Sequence, residues 1–274
     1  MQLVESLSDL RSQRAKLPGP VGFVPTMGYL HPGHLSLVEQ ARRECASVVV
    51  SIFVNPTQFG EAADLEHYPR DLAGDLALLE GHTDLVWAPT AAVMYPPGFQ
   101  TWVEVEQVSQ PLEGAQRPGH FRGVATVVAK LFLAVGPQLA YFGQKDAQQV
   151  KVIERMVADL NFPLEIRVGA TAREPDGLAM SSRNARLTPA ERRVAPVLYQ
   201  ALQTASQLFP APAEELRACV RQVVATQPSV ALEYVSCADR SSLEELDGPV
   251  ESCLLSLAAR LGAVRLIDNI ELCC

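Results

Sequence analysis

The spacing of apolar positions changes several times along this chain, and each change marks an element. Val21 to Pro25 is a short β-rich run, and after it His34, Leu37, Val38, Ala41 and Cys45 fall on one helical face. Val48 to Val54 is apolar almost without interruption, as a central parallel strand covered on both sides requires. Leu72 to Leu79 reads as helix, Asp84 to Ala88 as strand, and Thr101 to Val105 as an extended excursion. Positions 124, 127, 128, 131, 132 and 135 then form a stripe at helical spacing. Leu139 to Phe142 is a strand, Val150, Ile153, Val157 and Leu160 mark the next helix, and Leu164 to Val168 is a closing strand.

Short strands alternating with helices over residues 21 to 175 predict an α/β fold, a parallel sheet with crossover helices. Beyond Gly177 two helices follow each other, with stripes at 194, 197, 198, 201, 202, 205 and 208 and at 216, 219, 220, 223 and 224. Pro210-Ala-Pro212 punctuates that pair, and β-like runs near 231 to 238, 252 to 258 and 264 to 270 come after it. Helices first and strands afterwards predict a smaller α+β domain over 176–274, set against a larger one over 1–175.

Charge narrows the partners. With 23 Lys and Arg against 31 Asp and Glu the net charge is -8, so no positive field exists to collect a nucleic-acid backbone. The start of the chain mixes acidic and apolar residues and lacks the basic-then-apolar pattern of an export signal, which predicts a cytoplasmic protein. Val48 to Val54 and Val124 to Val135 fall short of the roughly 20 residues a spanning helix needs, so no membrane span is expected. The six cysteines show no Cys-x-x-Cys pair and no zinc-like spacing with His, and read as small apolar residues in a reducing compartment.

The chemistry gathers at strand ends. Pro25-Thr-Met-Gly-Tyr-Leu-His-Pro-Gly-His34 lies where the first strand turns into its helix, and ligands of open parallel sheets collect at such carboxyl ends. Gly28 and Gly33 allow close backbone approach to a phosphate, Pro32 suits a first helical turn, and His31 and His34 can donate from ring nitrogens. A tight turn with two solvated histidines is the plainer reading. Zinc fits poorly, because His-x-x-His across a Pro-Gly turn is not expected to bring both rings to one helical face, and no third ligand is apparent.

Phe53-Val-Asn-Pro-Thr-Gln-Phe-Gly60 ends the second strand with Asn55 and Gln58, each a donor and an acceptor for a small polyhydroxy acid; an Asn-Pro turn alone would also account for it. In Phe142-Gly-Gln-Lys-Asp-Ala-Gln-Gln149, Lys145 offers a charge to phosphate, Asp146 can accept from ribose hydroxyls, and Gln149 lies a turn further on; a solvated helix cap is the competing reading. Met180-Ser-Ser-Arg-Asn184 follows a Pro-Asp-Gly turn at the domain junction, where Ser181, Ser182 and Arg183 could clamp a phosphate or simply form a surface loop. Pro118-Gly-His-Phe-Arg-Gly123 is a further possible anion site, whereas the stripe of the helix after it reads as core.

Taken in order, PTMGYLHPGH, FVNPTQFG, YPRD at 68 to 71, GHFRGV at 119 to 124, FGQKDAQQ and MSSRN resemble the pantothenate synthetase (pantoate beta-alanine ligase) family, over about residues 20 to 190. The first and last of them also resemble the paired signatures of the wider adenylyl-transferring superfamily. The resemblance implies a Rossmann-type domain with helices on both faces, a C-terminal lid, ATP with Mg2+, pantoate and beta-alanine as small-molecule partners, and a homodimer. It implies that Met27, Gly28, Tyr29, Leu30, His31, Pro32, Gly33 and His34 line ATP, together with Gly143, Gln144, Lys145, Asp146, Ala172, Met180, Ser181, Ser182 and Arg183. His34 would aid adenylate formation, with His31, Lys145, Ser181, Ser182 and Arg183 beside it. Thr26, Asn55, Gln58 and Gln149 would hold pantoate, and Gln58 would also face beta-alanine. Gln144 stands where that motif often carries Glu. The expected reaction activates the pantoate carboxylate as an adenylate, releasing pyrophosphate, and passes it to the amine of beta-alanine, releasing AMP. A nucleotidyltransferase that leaves AMP on a phosphorylated acceptor and a nucleotide-binding module without turnover are the competing readings; tRNA charging is disfavoured by the acidic balance.

Overall fold

The structure is a computed structural model that describes residues 1–60 and 62–274. Six strands, β1 (Gln2–Val4), β2 (Val21–Thr26), β3 (Ser47–Ile52), β4 (Leu85–Trp87), β5 (Leu139–Gly143) and β6 (Glu165–Gly169), form one sheet in the order β1-β4-β3-β2-β5-β6, every pair parallel. The pleat explains why these strands read as continuous apolar runs. Val48 and Val50 pack on one face and Val49 on the other; Val24 and Phe23, Val86 and Leu85, Tyr141 and Phe142 divide in the same way. Helix Pro32–Glu44 covers one face with Leu37, Val38 and Ala41, and helix His120–Val135 covers the other with nearly all of its length.

Helix His120–Val135 comes so close to the end of β3 that a Cβ on Gly123 would lie 2.4 Å from the carbonyl oxygen of Thr57. Only glycine permits that approach, and it fixes the segment carrying Gln58 against the helix. The sheet reverses its direction of growth at β2, whose neighbours are β3 and β5. The carboxyl ends of β2 and β5 therefore open onto the switch-point crevice, where open α/β sheets bind ligands.

A second core is built from helices Val197–Ser206 and Ala213–Ala225 on an antiparallel sheet of β7 (Val230–Ala238), β8 (Ser252–Leu261) and β9 (Val264–Cys273), in that order. Gly262, at positive φ, opens the two-residue turn between β8 and β9. This sheet reaches back to the first domain: Asn269 donates to the carbonyls of Gln144 and Lys145, and Arg265 grips Glu113 with its partner Tyr234.

Some expectations need correction. The excursion at Thr101 to Val105 is not among them: it runs outside both sheets, with the Val103 amide held by Thr126 of the long helix. Leu160 and Leu208 lie just past their helices and are about half exposed, 52% and 48%, so each stripe ends one position earlier than its spacing suggests. β1 and helix Leu7–Arg14 leave little trace in the apolar pattern: β1 is a three-residue edge, and the helix buries only Leu10. Cys45, Cys237 and Cys253 are buried, Cys219 is half-buried, and Cys273 and Cys274 are exposed. Among the described residues no helix is long and apolar enough to cross a membrane.

Candidate active site

The turn after β2 is a rigid device. Thr26 donates its hydroxyl to the Ser51 carbonyl and accepts from the Gly28 amide, and Gly28 takes φ +79°. The next two amides, Tyr29 and Leu30, donate to the two carboxylate oxygens of Asp75 at 2.9 and 2.6 Å. A Cβ on Gly28 would meet that carboxylate at 2.9 Å. Helix Pro32–Glu44 then starts with a capping box made by the histidines: His31 Nδ1 accepts from the Gly33 amide, and His34 Nδ1 accepts from the His31 amide. Both rings are thereby fixed as tautomers that carry their proton on Nε2.

Burial, then the charge of Lys145, holds His31 down at about 4 against the opposing effect of Asp146; burial, then His31, holds His34 at about 3. At neutral pH the site therefore has two uncharged imidazoles, each with an Nε2–H donor. Their ring centroids are 4.0 Å apart, so the expectation that a Pro-Gly turn would separate them fails. The N-cap and third helical positions face each other whatever lies between them. Among the described residues no group of three or more His, Cys, Asp or Glu is arranged to hold a metal ion.

At the end of β3, Asn55 is committed to structure. Its Nδ2 donates to Gln58 Oε1 at 3.0 Å and to the Gly123 carbonyl at 3.2 Å, and its Oδ1 accepts from the Tyr95 hydroxyl at 2.8 Å. Among the described residues the Gln58 Nε2 donates to a sulfur, Met27 Sδ at 3.1 Å. Because a thioether is a weak acceptor, the Gln58 amide N–H remains the open donor of this wall.

At the end of β5, Lys145 Nζ lies 3.6 Å from Asp146. Burial raises the Asp146 carboxyl's proton affinity, but Lys145, Arg183 and His120 outweigh it and hold the pKa below the usual carboxylate value. The Gln144 side chain turns away, donating to Glu271 of β9 at 3.1 Å, while Gln149 faces inward.

These ends enclose a cavity of about 210 Å³ lined by Thr26, Met27, His31, Gly33, His34, Asn55, Gln58, Gly143, Lys145, Asp146, Gln149, Ala172, Met180, Ser181, Ser182 and Arg183. Five expected residues stay outside its lining: Gly28, Tyr29, Leu30, Pro32 and Gln144. Gly28 and the amides of Tyr29 and Leu30 shape the turn, Leu30 packs in the core, and Pro32 occupies the first helical turn. The stripe of helix His120–Val135 proves to be more than core, since Val124, Val127, Val128 and Leu131 form the apolar wall.

Tyr68 and Arg117 also line the cavity; Tyr68 opens the YPRD segment, but the sequence assigned neither of them a role in the site. Tyr68 sits 3.1 Å from the Ser182 hydroxyl. Arg117 Nη1 lies 3.2 Å from His120 Nε2, and His120 Nδ1 donates to the Gln58 carbonyl at 2.8 Å. Burial and the Arg117 charge hold His120 at about 4. An Arg three positions before a His on the same turn was the available signal.

A doubly wound parallel sheet with neutral imidazoles, a lysine and amide donors meeting at its switch point defines an enzyme that handles a nucleotide together with a small polar acid. Comparison with known proteins makes the class specific. The family model for pantoate-beta-alanine ligase matches residues 2–271. The pantothenate synthetase of Roseiflexus castenholzii is 57% identical over 273 residues, covering 98% of each chain. The crystal structure of pantothenate synthetase from Thermus thermophilus superposes with a TM-score of 0.96 at 48% identity over 100% of both chains. Pantoate-beta-alanine ligase from Francisella tularensis, complexed with beta-gamma ATP and beta-alanine, gives 0.84 at 36% identity over 98% of this chain and 97% of that one. The chain belongs to the pantoate-beta-alanine ligase family.

Proposed function

We propose that this chain condenses pantoate with beta-alanine at the expense of ATP, giving pantothenate, AMP and pyrophosphate through a pantoyl adenylate. The observation that carries this reading is the convergence of the apolar wall, the Gln58 and Gln149 amides and the paired neutral histidines on one cavity. Pantoate has hydroxyls and two geminal methyls on a short acid. The amides meet the hydroxyls, the valines of helix His120–Val135 meet the methyls, and the carboxylate is left toward the histidines.

The pantoate carboxylate attacks the α-phosphorus, and the bond to the bridging oxygen breaks as pyrophosphate leaves. Negative charge grows on the phosphoryl oxygens, where the Nε2–H donors of His31 and His34, already fixed by their backbone bonds, stabilise it without reorganising. Lys145 neutralises phosphate charge, Ser181, Ser182 and Arg183 receive the pyrophosphate end, and Ala172, Gly143 and Met180 border the nucleoside. The neutral amine of beta-alanine then attacks the acyl carbon, its C–N bond forms, AMP departs, and the extra amine proton is lost. Positioning and charge stabilisation suffice, with no covalent bond to the protein.

Mg2+ fits this site as a companion of the phosphates. It binds through one or two carboxylates plus phosphate oxygens and water, and Asp146 is the ionised carboxylate that could reach it, where it would neutralise triphosphate charge. Residues 176–274 would close over the nucleotide as a lid, and the same reading includes a homodimer in the cytoplasm.

AMP release measured with pantoate and beta-alanine omitted in turn tests the overall reading. Labelled pyrophosphate should exchange into ATP with pantoate alone. Exchange that requires beta-alanine in active enzyme would overturn the two-step order.

A further inference from the structure

The arginines that follow Met180 already hold an anion. Asp64, in helix Ala62–Glu66, gives one carboxylate oxygen to Arg183 at 3.0 Å and the other to Arg186 at 2.7 Å. The two arginines stand three positions apart on the 3-10 turn Ser182–Arg186, where side chains at that spacing eclipse and point the same way. All three side chains are about three-quarters covered, at 23%, 26% and 28% exposure. They line a cavity of about 730 Å³ that shares Arg117, Lys145, Asp146, Ser181 and Arg183 with the cleft already described. Burial favours the protonated form of Asp64, and Arg183 and Arg186 overcome it and keep the carboxyl below its usual pKa. Two guanidinium groups, one on each oxygen of a planar anion, form a cradle that equally fits two oxygens of a phosphate.

We infer that Arg186 is a second cation for the departing pyrophosphate, acting beside Arg183, and that Asp64 is the internal anion which the β- and γ-phosphates displace. This rests on the adenylation reading of the cleft. Arg186 stands outside the Met180 to Asn184 motif and lines only the larger cavity. The exchange has a physical logic. Two guanidiniums held close together in a partly dry site repel each other, and Asp64 neutralises them while the site is empty. A triphosphate, with more charge than one carboxylate, outcompetes it. When pyrophosphate leaves, Asp64 returns and opposes its rebinding.

The test is the inhibition constant of inorganic pyrophosphate with magnesium against AMP formation, read beside the KM values for ATP and pantoate in the whole enzyme. Arg186→Gln should raise the pyrophosphate constant and the ATP KM by about tenfold, the scale of a charge-assisted hydrogen bond, and leave the pantoate KM in place. Arg186→Lys should recover part of the loss. Asp64→Asn should act in the opposite direction, tightening pyrophosphate about fivefold by removing its competitor. An ion pair that only stabilises the fold would lower the melting temperature in both variants and leave the constants unchanged, and that result overturns the inference. So does weaker pyrophosphate binding in Asp64→Asn. If the parent makes no AMP, the adenylation reading fails by itself, and calorimetry of magnesium pyrophosphate on the parent, Asp64→Asn and Arg186→Gln still decides the cradle by the same ordering.

Discussion

Two turns line the same cleft and are built on opposite principles. In the turn from Thr26 to His34 the amides of Gly28, Tyr29, Leu30, His31 and Gly33 are paired with Thr26, Asp75 and the two imidazoles, and the donors offered to the ligand are uncharged imidazoles in fixed tautomers. In the turn from Ser181 to Arg186 the groups offered are full charges, held by a carboxylate that can be exchanged. The first arrangement suits charge that appears only in the transition state, since a neutral donor does not bind the ground state so tightly that its advantage is lost. The second suits charge that travels, because cations whose counter-ion can return need not hold their product.

Removing the fixed half should cost most. His34→Ala should lower kcat by about 100-fold, the effect of deleting one preorganised donor, with a much smaller change in ATP KM. Single-turnover adenylation measures it directly, and unchanged turnover in a folded variant would take His34 off the reaction path. Arg183→Ala should be milder, slowing pyrophosphate exchange about tenfold, with a loss that depends on ionic strength because the contact is ionic. Equal salt dependence in the two variants would erase the distinction between fixed dipoles and exchangeable charges.

Gln58→Ala tests whether the fixed half extends to the acid. It should raise the pantoate KM about tenfold with ATP binding largely retained, because the hydroxyl it meets loses a buried partner. Asn55→Ala should reproduce that change indirectly, since Asn55 orients the side-chain Oε1 of Gln58 while its own groups are all engaged. An Asn55 variant with unaltered pantoate KM would show that Gln58 is positioned by Gly123 and the backbone alone.

What the sequence made legible divides along the same line. Strand ends, helix stripes and the histidine turn are local patterns, so periodicity and capping chemistry reveal them. Long-range pairings are invisible to that reading. Asp75 lies 45 residues from the Leu30 amide it binds, Asp64 more than a hundred from the arginines it bridges, and Arg117 meets the Gln58 carbonyl 59 residues away. The stripe of helix His120–Val135 was legible as apolar but ambiguous in role, because one face can belong to core and cavity together. The direction of the Gln144 side chain was illegible for a similar reason: its partner, Glu271, comes from the far end of the chain.

The smallest effect is a pH signature that separates stability from chemistry. His31, His34 and His120 are held at about 4, 3 and 4 in the folded chain, burial being the leading cause in each, against an ordinary value near 6.5. A depressed folded value means that the unfolded chain binds protons between those limits and the native one does not. Stability contributed by these neutral rings is therefore complete above about 6.5 and is lost as pH falls toward about 4. The carboxylates held low by arginine or lysine, Asp64 and Asp146 among them, have the same sign but act below the usual carboxylate range, whereas Asp75 and Asp268, raised chiefly by burial, act above it with the opposite sign and only partly offset the three histidines. Between pH 7 and 5 the melting temperature should fall by a few degrees, whereas pyrophosphate exchange per folded enzyme should show no loss attributable to imidazole protonation, because the donors stay neutral. His120→Asn should flatten the stability slope by up to about 1.4 kcal/mol per pH unit, one proton's worth, since His120 is the least exposed of the three to solvent. A melting temperature that does not move from pH 7 to 5, or an exchange rate that falls with a midpoint near 6.5, would mean that the histidines titrate as exposed rings and that the turn after β2 is not the fixed half of the site.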